Sequence, residues 1–388
     1  MKKLVLISTR DEFTMTRLYK DEGLLPYYIG KEYKLETKFL CSNSQKKLPN
    51  VFRTMKIIEK PIRLLFLRNV KYYKYFYLEY FRYLFKYSSN IDYLIFFQLS
   101  TYKLLYITLY KIFNKTGKVY AKLDIGPKEL EKIEKKRRIR KILFQYLIKK
   151  IDLFSCETKE CFEKIRQNGL CNFDISDKLI HIQNGFDEDY LIENNIKVKK
   201  FEEKENIMIT VGRIGTEPKN NEMLLNVINK IDLKDWKICI IGPYTEEFKE
   251  YYNEFIKNDP AKKDKVILVG NIEDKNLLYD YYNRAKVFLL TSRWEGFAIV
   301  YPEALRFGNY IITTDVGGAK DITNNGEIGV VTEVENEEQY KKEILKVINE
   351  EINLEEKYNQ SLKWSEEKFL WNNIVKNEKF KEFFTGEN

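Results

Sequence analysis

Histidine and closely spaced cysteines are scarce in this 388-residue sequence. His181 is the only histidine, and the five cysteines include no pair separated by two residues. Standard zinc fingers need cysteine and histidine ligands at short, regular spacing, and the spacing of Cys156, Cys161 and Cys171 matches none of them. An odd number of cysteines, behind an N-terminal apolar run too short for a secretory signal, predicts free thiols in a reducing cytoplasm.

Long apolar runs are missing too. The most hydrophobic stretch, 91–113, is interrupted by Gln98, Lys103 and Lys111, so it predicts a strand followed by a helix and not a membrane-spanning helix. The sequence contains neither a zinc finger nor an aromatic RNA-binding motif, which argues against a nucleic-acid partner. The net charge of +9 therefore indicates an anionic small ligand, an anionic membrane surface or simply a lysine-rich exterior.

The length and the hydrophobic pattern predict an α/β protein of two domains. A chain of 388 residues with 44% hydrophobic residues can fill two ordinary cores. In the first half, short apolar runs alternate with helical patterns, and the run 129–151 has an apolar face at helical spacing. The strands expected in this half lie at Lys3–Ser8, near Tyr27, near Lys38, at Tyr93–Gln98, at Lys118–Asp124, at 152–157 and at 178–185.

The alternation of strands and helices restarts after Asn194–Asn206, a polar stretch typical of a linker. Six apolar runs follow it: NIMITVG, WKICIIG, KVILVG, VFLLTS, YIITTD and IGVVT. Continuous apolar runs are typical of parallel strands that are buried on both faces. We therefore predict two doubly wound, Rossmann-like domains that face each other across a cleft, an N-terminal domain at 1–197 and a C-terminal domain at 205–365.

The strongest chemical signal is EGFAIVYPE, which runs from Glu295 to Glu303 directly after the strand VFLLTS. Pro302 suits the first turn of a helix, and a glycine lets a ligand approach the backbone closely. Carboxylates beside an anion-binding helix start favour sugar or ribose hydroxyls as their partners. The backbone amides expected at this helix N-terminus are those of Gly296, Phe297, Ala298 and Ile299.

This segment resembles the E-x7-E motif of the family 4 retaining glycosyltransferases, which have the GT-B fold. In that family the first glutamate contacts donor-sugar hydroxyls and the second contacts the nucleotide ribose. The resemblance assigns these roles to Glu295 and Glu303. VGRIGTEPKNN resembles the family's GR-x-x-K region, whose cations bind the diphosphate, and implies that role for Arg213 and Lys219. Many members space this pair one residue closer.

Further stretches agree with the resemblance. The run from VGNIEDKN to the glutamate motif would place Asn271 and Ile272 near the nucleobase, and TTDVGGAKDI resembles a turn beside the sugar pocket. IQNGFDEDY resembles the segment that closes the first domain, which makes a metal-binding role for its DED triplet an unfavoured alternative. The C-terminal residues 366–388 resemble a helix that crosses back to the first domain.

The first domain departs from the family pattern. The family carries a glycine pair after the first strand, whereas STRDEFTMTR has no glycine, which puts phosphate contact from this loop in doubt. KLDIG lies where the family often has a histidine or an aspartate beside the donor sugar. Asp124 is therefore the candidate residue there, and an ordinary turn aspartate is the alternative.

The stretch 51–87 is basic and rich in aromatic residues. It contains nine lysines and arginines against two glutamates, with many tyrosine, phenylalanine and leucine residues between them. This composition is typical of a segment that binds an anionic membrane surface. The alternative is a pair of helices whose aromatic residues belong to the core.

Together these features predict a retaining glycosyltransferase that moves a hexose from a nucleotide sugar to a glycan or lipid-linked acceptor. The resemblance implies a UDP-sugar donor and a role in bacterial surface-polysaccharide synthesis. We expect no cofactor and no metal, because two fixed cations and a helix N-terminus supply the positive potential. The protein would be cytoplasmic, and peripheral at the inner membrane face if 51–87 binds lipid. Two alternatives are a non-catalytic partner subunit with a glycosyltransferase-like fold, and a GT-B sugar-nucleotide epimerase.

Overall fold

The computed structural model describes residues 1–10, 13–42, 48–60, 78–134 and 138–387, and the chain divides into two compact units. The first unit comprises Met1–Gln183 together with Trp371–Asn388, and the second comprises Asn184–Leu370. Each unit is built on one sheet with helices packed on it.

The sheet of the first unit has the order β3-β4-β2-β1-β5-β6-β7-β8. Every pair of neighbours is parallel except β3 and β4 at one edge. Its strands are β1 (Lys3–Ile7), β2 (Glu36–Ser42), β3 (Val51–Phe52), β4 (Met55–Lys60), β5 (Tyr93–Phe97), β6 (Lys118–Leu123), β7 (Leu153–Cys156) and β8 (Leu179–His181).

Helices cover both faces of this first sheet. Successive residues of a strand point to opposite faces, so Val5 and Ile7 of β1 enter one core while Leu4 and Leu6 enter the other. The helices of this unit are α1 (Met15–Leu18), α2 (Asp21–Glu32), α3 (Leu78–Tyr87), α4 (Thr101–Phe113), α5 (Pro127–Glu134), α6 (Arg138–Ile148), α7 (Lys159–Asn168), α16 (Trp371–Ile374) and α17 (Glu378–Thr385).

The sheet of the second unit is wholly parallel, with the order β11-β10-β9-β12-β13-β14. This is the strand order of a doubly wound, Rossmann-like domain. Its strands are β9 (Glu205–Val211), β10 (Lys237–Ile241), β11 (Val266–Gly270), β12 (Ala285–Leu290), β13 (Tyr310–Thr314) and β14 (Gly329–Thr332). Its helices are α8 (Glu188–Glu193), α9 (Asn221–Asn229), α10 (Glu246–Asn258), α11 (Lys275–Arg284), α12 (Val300–Arg306), α13 (Ala319–Ile322), α14 (Glu337–Ile348) and α15 (Leu354–Lys368).

One predicted strand is wrong. The residues near Tyr27 lie in the middle of α2 and not in a strand. This helix is buried on nearly all sides, with Leu24, Leu25, Tyr28 and Ile29 all inside the protein. A helix that is apolar all round loses the one-sided pattern of a surface helix, so its short apolar run has the appearance of a buried strand.

Two predicted helices are each divided in the structure. The pattern over 129–151 corresponds to α5 and α6, and residues 135–137 between them lie outside the described part. The C-terminal segment 366–388 begins in α15 and continues as α16 and α17. The residues from Trp371 onward belong to the first unit, where Val375 accepts a hydrogen bond from the hydroxyl of Tyr33 at 2.6 Å.

Residues 184–197, which the sequence analysis assigned to the first domain, group with the second unit in the structure. The reason is a set of contacts that hold them there. The Glu188 carboxylate pairs with the guanidinium of Arg306 at 2.6 Å, and the ring of Phe186 packs against Phe307 with centroids 5.9 Å apart. The predicted linker is also anchored, because the buried Lys204 ammonium donates to backbone carbonyls at the end of α11, at 2.9 Å to that of Asn283.

The basic stretch 51–87 is described only in part. Its beginning forms β3 and β4, and its end forms α3, whose Tyr80, Tyr83 and Leu84 are buried. Residues 61–77 lie outside the described residues, and with them Arg63, Arg68, Lys71 and Lys74. Among the helices that the structure describes, none combines the length and the apolar character needed to cross a membrane.

Candidate active site

The predicted site residues of the second unit lie at or near the carboxyl edge of its sheet. Arg213 follows β9, Asn271 follows β11 and Glu295 follows β12, while Glu303 lies in the first turn of α12. Because all six strands are parallel, their carboxyl ends meet at one edge, which is where doubly wound domains bind ligands.

Lys219 and Glu295 form an ion pair at this edge. The Nζ atom of Lys219 lies 2.5 Å from Oε1 of Glu295, and the two side chains are only 12% and 15% exposed. The hydroxyl of Ser292 donates to the same carboxylate oxygen at 2.7 Å. An ammonium group has three N–H donors, so this pairing leaves Lys219 with donors for a second anionic partner.

Arg213 differs from Lys219 in its surroundings. Its side chain is exposed, and it takes part in no ion pair among the residues that the structure describes. Its backbone is fixed, since the hydroxyl of Thr216 donates to the Arg213 carbonyl at 2.9 Å. The preceding Gly212 is approached so closely by Gly242 that a Cβ atom on Gly242 would lie 1.8 Å from the Gly212 carbonyl oxygen. The loop thus holds the backbone of an exposed arginine in place.

Two residues outside the predicted site hold the Lys219 loop in place. The hydroxyl of Thr291 donates to the carbonyls of Lys219 and Asn220 at 3.1 and 2.9 Å. Arg293 donates from Nη1 to the carbonyl of Glu217 at 2.9 Å and pairs through Nε with Glu335 at 2.6 Å. Thr291 and Arg293 both lie between the end of β12 and Glu295. Their closeness in sequence to the glutamate motif is the signal that could have predicted this role.

The glycine pair of TTDVGGAKDI packs directly under the glutamate motif. A Cβ atom on Gly317 would lie 1.9 Å from the carbonyl oxygen of Gly296 and 2.5 Å from that of Glu295. Gly318 has a φ of +81°, and its own added Cβ would meet the ring of Phe297 at 2.6 Å. Only glycine fits at these two positions, so the close packing of this turn fixes the position of the loop that carries Glu295.

The segment between Glu295 and α12 is partly internal. The side chains of Phe297 and Ala298 are buried, and the Phe297 carbonyl accepts from Nδ2 of Asn184 at 3.5 Å. Ile299 precedes the first helical residue, Val300, and already has helical backbone angles. Anion binding by the amides of this segment stays a prediction.

Glu303 is held by a buried phenol. The hydroxyl of Tyr282 donates to Oε2 of Glu303 at 3.0 Å, and Tyr282 is fully buried in α11. Burial, and then the neighbouring carboxylate of Glu303, raise the pKa of Tyr282 well above its ordinary value. The phenol therefore stays protonated and keeps the carboxylate in one position.

The two residues predicted near the nucleobase lie on the segment between β11 and α11. Asn271 is exposed and Ile272 is half-buried. The segment ends where the Asp274 side chain caps α11 by accepting from the amide of Asn276 at 2.9 Å. Contact of this pair with a base stays a prediction.

Asp124 belongs to the first unit, where it follows β6. Its Oδ2 accepts a hydrogen bond from Nε2 of Gln98 at 2.9 Å, and Gln98 has a left-handed φ of 56°. Beside it on β6, Lys122 is fully buried and pairs with the carboxylates of Glu157 and Asp21. A role for Asp124 beside the donor sugar stays a prediction.

In the described ranges, no group of three histidine, cysteine, aspartate or glutamate side chains is placed to hold a metal ion. Asp187 and Asp189 of the DED triplet are buried at the start of α8. All five cysteines are buried free thiols.

Comparison with known proteins gives a family match for the second unit. Residues 192–364 match the family model described as Glycosyl transferases group 1. The capsular polysaccharide biosynthesis glycosyltransferase CapM of Staphylococcus aureus is 26% identical over 206 residues, which is 49% of this chain and 52% of CapM. An N-acetylgalactosaminyltransferase of Campylobacter jejuni, named for a diphospho-undecaprenol acceptor, is 29% identical over 204 residues, 51% of each chain. The chain thus spans about half the length of these relatives.

A solved structure extends the likeness to the whole fold. The Anabaena protein HepE in complex with UDP superimposes with a TM-score of 0.70 over 100% of both chains, at 13% sequence identity. At this identity the likeness shows the fold alone. It confirms the prediction of two doubly wound α/β domains of the GT-B type. The chain therefore has the GT-B fold, and its second unit matches the model of the group 1, family 4-like glycosyltransferases.

Proposed function

We propose that this protein is a retaining glycosyltransferase that transfers a hexose from a UDP-sugar to a glycan or lipid-linked acceptor in bacterial surface-polysaccharide synthesis. The observation that supports this best is the Lys219–Glu295 ion pair at the carboxyl edge of the second sheet, where the exposed Arg213 takes part in no ion pair among the described residues. The names of two relatives, one for capsular polysaccharide and one for a diphospho-undecaprenol acceptor, agree with this substrate class. UDP is bound by the similar HepE structure.

The proposed chemistry assigns each side chain a partner on the donor. Arg213 and Lys219 bind the diphosphate, whose negative charge grows as the bond to the sugar breaks. Glu295 accepts hydrogen bonds from sugar hydroxyls, and Glu303, held by Tyr282, accepts from the ribose. Asp124, which belongs to the first unit, stays a candidate catalytic residue.

Retention follows if the acceptor attacks on the face from which the diphosphate leaves. The acceptor oxygen forms the new bond to the anomeric carbon, the bond to the diphosphate oxygen breaks, and that departing oxygen takes the acceptor proton. The reaction then needs no side-chain base, no cofactor and no metal, because the two cations offset the charge of the leaving group. The protein would work in the cytoplasm, held at the inner membrane face through 51–87.

Slow hydrolysis of the correct donor tests catalysis directly. Purified protein incubated with a panel of UDP-sugars is expected to release UDP from one of them, with the same rate in EDTA. The same donor is expected to raise thermal stability, since a ligand at one hundred times its dissociation constant adds about 2.7 kcal/mol. Stabilisation without any release, with or without an added glycan acceptor, would favour the non-catalytic subunit. Loss of release in EDTA that magnesium restores would refute metal independence.

Glu303 and Glu295 are expected to separate nucleotide binding from chemistry. A hydrogen bond to a charged group contributes about 1.5–3 kcal/mol, so Glu303→Gln is expected to weaken UDP binding about tenfold or more. Glu295→Gln is expected to leave the UDP dissociation constant within about twofold, because UDP lacks the sugar. Calorimetry with UDP measures both. The exposed Glu338, on α14, provides the matched control as Glu338→Gln. Equal loss of UDP affinity in the Glu295 and Glu303 variants would contradict these roles.

A further inference from the structure

A groove of about 540 Å³ lies in the second unit, between the loop 324–328 and the helix α15. This volume is typical of small-molecule sites. Glu327 and Ile328 line the groove and directly precede β14, so it lies at the amino end of that strand. Because the second sheet is wholly parallel, this edge is opposite to the one that carries Glu295. The groove is therefore separate from the candidate active site.

Hydrogen bonds hold the two walls of the groove together. Lys357 of α15 donates from Nζ to the carbonyl of Glu327 at 2.7 Å, across the groove, and to Oε1 of Gln360 at 3.0 Å. In the facing loop, the amide of Asn324 donates to the carboxylate of Glu327. These bonds fix the separation of loop and helix, so the groove is formed before any ligand binds, as most small-molecule sites are.

One wall of the groove carries an indole ring. Trp364 of α15 is partly exposed and lines the groove. Its only hydrogen-bond donor, Nε1–H, donates to the backbone carbonyl of Asp321 at 3.3 Å. Since the polar atom of the side chain is already bonded, the ring offers the groove an apolar surface.

The charged groups around this ring balance each other. Two lysines and two glutamates line the groove, namely Lys357, Lys363, Glu327 and Glu367. Lys363 and Glu367 are exposed, and the ion pairs of the described residues include neither of them. Ammonium groups donate hydrogen bonds, carboxylates accept them, and the amide of Gln360 can do both. A groove without net charge does not select a phosphate or a nucleotide, which bind to clustered cations.

We propose that this groove is a second saccharide-binding site. A pyranose ring has a face of C–H groups, which packs on an indole ring, and an edge of hydroxyls, which both donate and accept hydrogen bonds. The groove provides both kinds of surface side by side. A saccharide is also the class of molecule that the proposed function elongates, so the choice of occupant rests on that function. Bound here, a growing glycan stays with the enzyme between transfers, which raises its effective concentration at the active site.

Fluorine NMR of the full chain labelled with fluorotryptophan tests the proposal without any turnover. The sequence has four tryptophans; Trp364 lines the groove, whereas Trp294 directly precedes Glu295. The saccharide probes are maltotriose, cellotriose and triacetylchitotriose, each titrated into the millimolar range. At least one of them is expected to shift the Trp364 resonance saturably, and UDP is expected to shift that of Trp294 alone. Single tryptophan-to-phenylalanine variants assign the two resonances.

Two neighbouring amides of α15 provide a matched pair of variants. Gln360 lines the groove, whereas Asn359 is exposed on the same helix and does not line it. Gln360→Ala is expected to weaken saccharide binding about two- to tenfold, the effect of one lost hydrogen bond. Asn359→Ala is expected to bind the saccharide like the wild type. Both variants are expected to release UDP from the donor at the wild-type rate, because neither residue lies at the carboxyl edge of the sheet.

Several results would overturn the saccharide site. They are a Trp364 resonance that none of the three saccharides shifts, a saccharide shift confined to Trp294, and equal loss of binding in the two alanine variants. A shift of the Trp364 resonance by UDP or inorganic phosphate would show that the groove binds anions instead. A Trp364 resonance that responds to a saccharide, in a protein that neither binds UDP nor hydrolyses a donor, would support the groove site and count against the proposed function alone.

Discussion

Replacing Arg213 by methionine is expected to lower the turnover number about 100- to 1,000-fold, the usual cost of removing one preorganised donor to a developing negative charge. Arg213 is exposed and takes part in no ion pair in the described part of the chain. Its loss therefore leaves no buried group without a partner, and the melting temperature is expected to change little. Steady-state kinetics with donor and acceptor, beside thermal unfolding, measure the two effects separately.

Lys219 is a less direct test because it is paired with Glu295 at 2.5 Å. Lys219→Met leaves a mostly buried carboxylate without its cation, so part of any loss in turnover comes from a displaced Glu295. The double variant Lys219→Met/Glu295→Gln removes both charges. Because the pair acts as one unit, its loss in turnover is expected to be no larger than that of the worse single variant. Additive losses would indicate that the two residues act separately.

Lys237 provides the control for Arg213. It is an exposed lysine at the opposite, amino end of β10 in the same sheet, so Lys237→Met removes a positive charge from the same unit and is expected to leave turnover unchanged. Turnover within a few-fold of wild type for Arg213→Met would place the diphosphate-binding cations elsewhere. A matching loss in Lys237→Met would show that the effect is one of overall charge.

The second unit could be predicted from sequence because its strands are buried on both faces. Each of β9 to β14 coincides with a continuous apolar run, and their carboxyl ends necessarily gather Arg213, Glu295 and Asn271 at one edge. The Lys219–Glu295 pair could not be predicted, since the two residues are 76 positions apart and their distance depends on how the Thr291 hydroxyl fixes the Lys219 backbone. The spacing of two residues along the sequence does not give the distance between their side chains in the fold.

The first unit was harder to predict for two physical reasons. The helix α2 is covered by the sheet and by the C-terminal helices, so its apolar residues form a continuous run. The spacing of apolar residues in such a run does not distinguish a helix from a strand. Lys122 was not selected at all, because a lysine in a sequence is expected at the surface. Only the fold shows that its strand is central and that two carboxylates from other elements neutralise it.

The buried charges around Lys122 predict the largest change in stability. Lys122 and Glu157 are both almost completely inaccessible, and the Lys122 ammonium pairs with Glu157 and, at 3.5 Å, with Asp21. The second oxygen of Glu157 is buried with no hydrogen-bond partner among the described residues. Breaking a buried ion pair by removing one partner costs about 3–5 kcal/mol. Lys122→Met is therefore expected to lower the free energy of unfolding by about that amount near pH 8.

The free energy of unfolding of the Lys122→Met variant is expected to rise as the pH falls from 8 to 5. Burial raises the pKa of Glu157 to about 8, although Lys122 lowers it, and without Lys122 that pKa would be higher still. A carboxyl whose folded pKa lies above its unfolded value stabilises the fold fully below the unfolded pKa, and that contribution is lost as pH rises through the folded pKa. At pH 8 the Glu157 carboxyl of the variant must take up a proton on folding, whereas near pH 5 much less proton uptake is needed, so the variant is expected to be more stable near pH 5. Urea unfolding at pH 5 and pH 8 measures the difference.

A second substitution separates charge from packing. Glu157→Gln, added to Lys122→Met, replaces a carboxyl that takes up a proton on folding at pH 8 by a neutral amide of similar shape, and most of the lost stability at pH 8 is expected to return. Asp21, whose pKa burial also raises, accounts for the part that does not return. If the single variant were equally stable at both pH values and the double variant gained nothing, the cost would arise from the altered packing of β6. The Lys122 ammonium would then have no electrostatic role in the first unit.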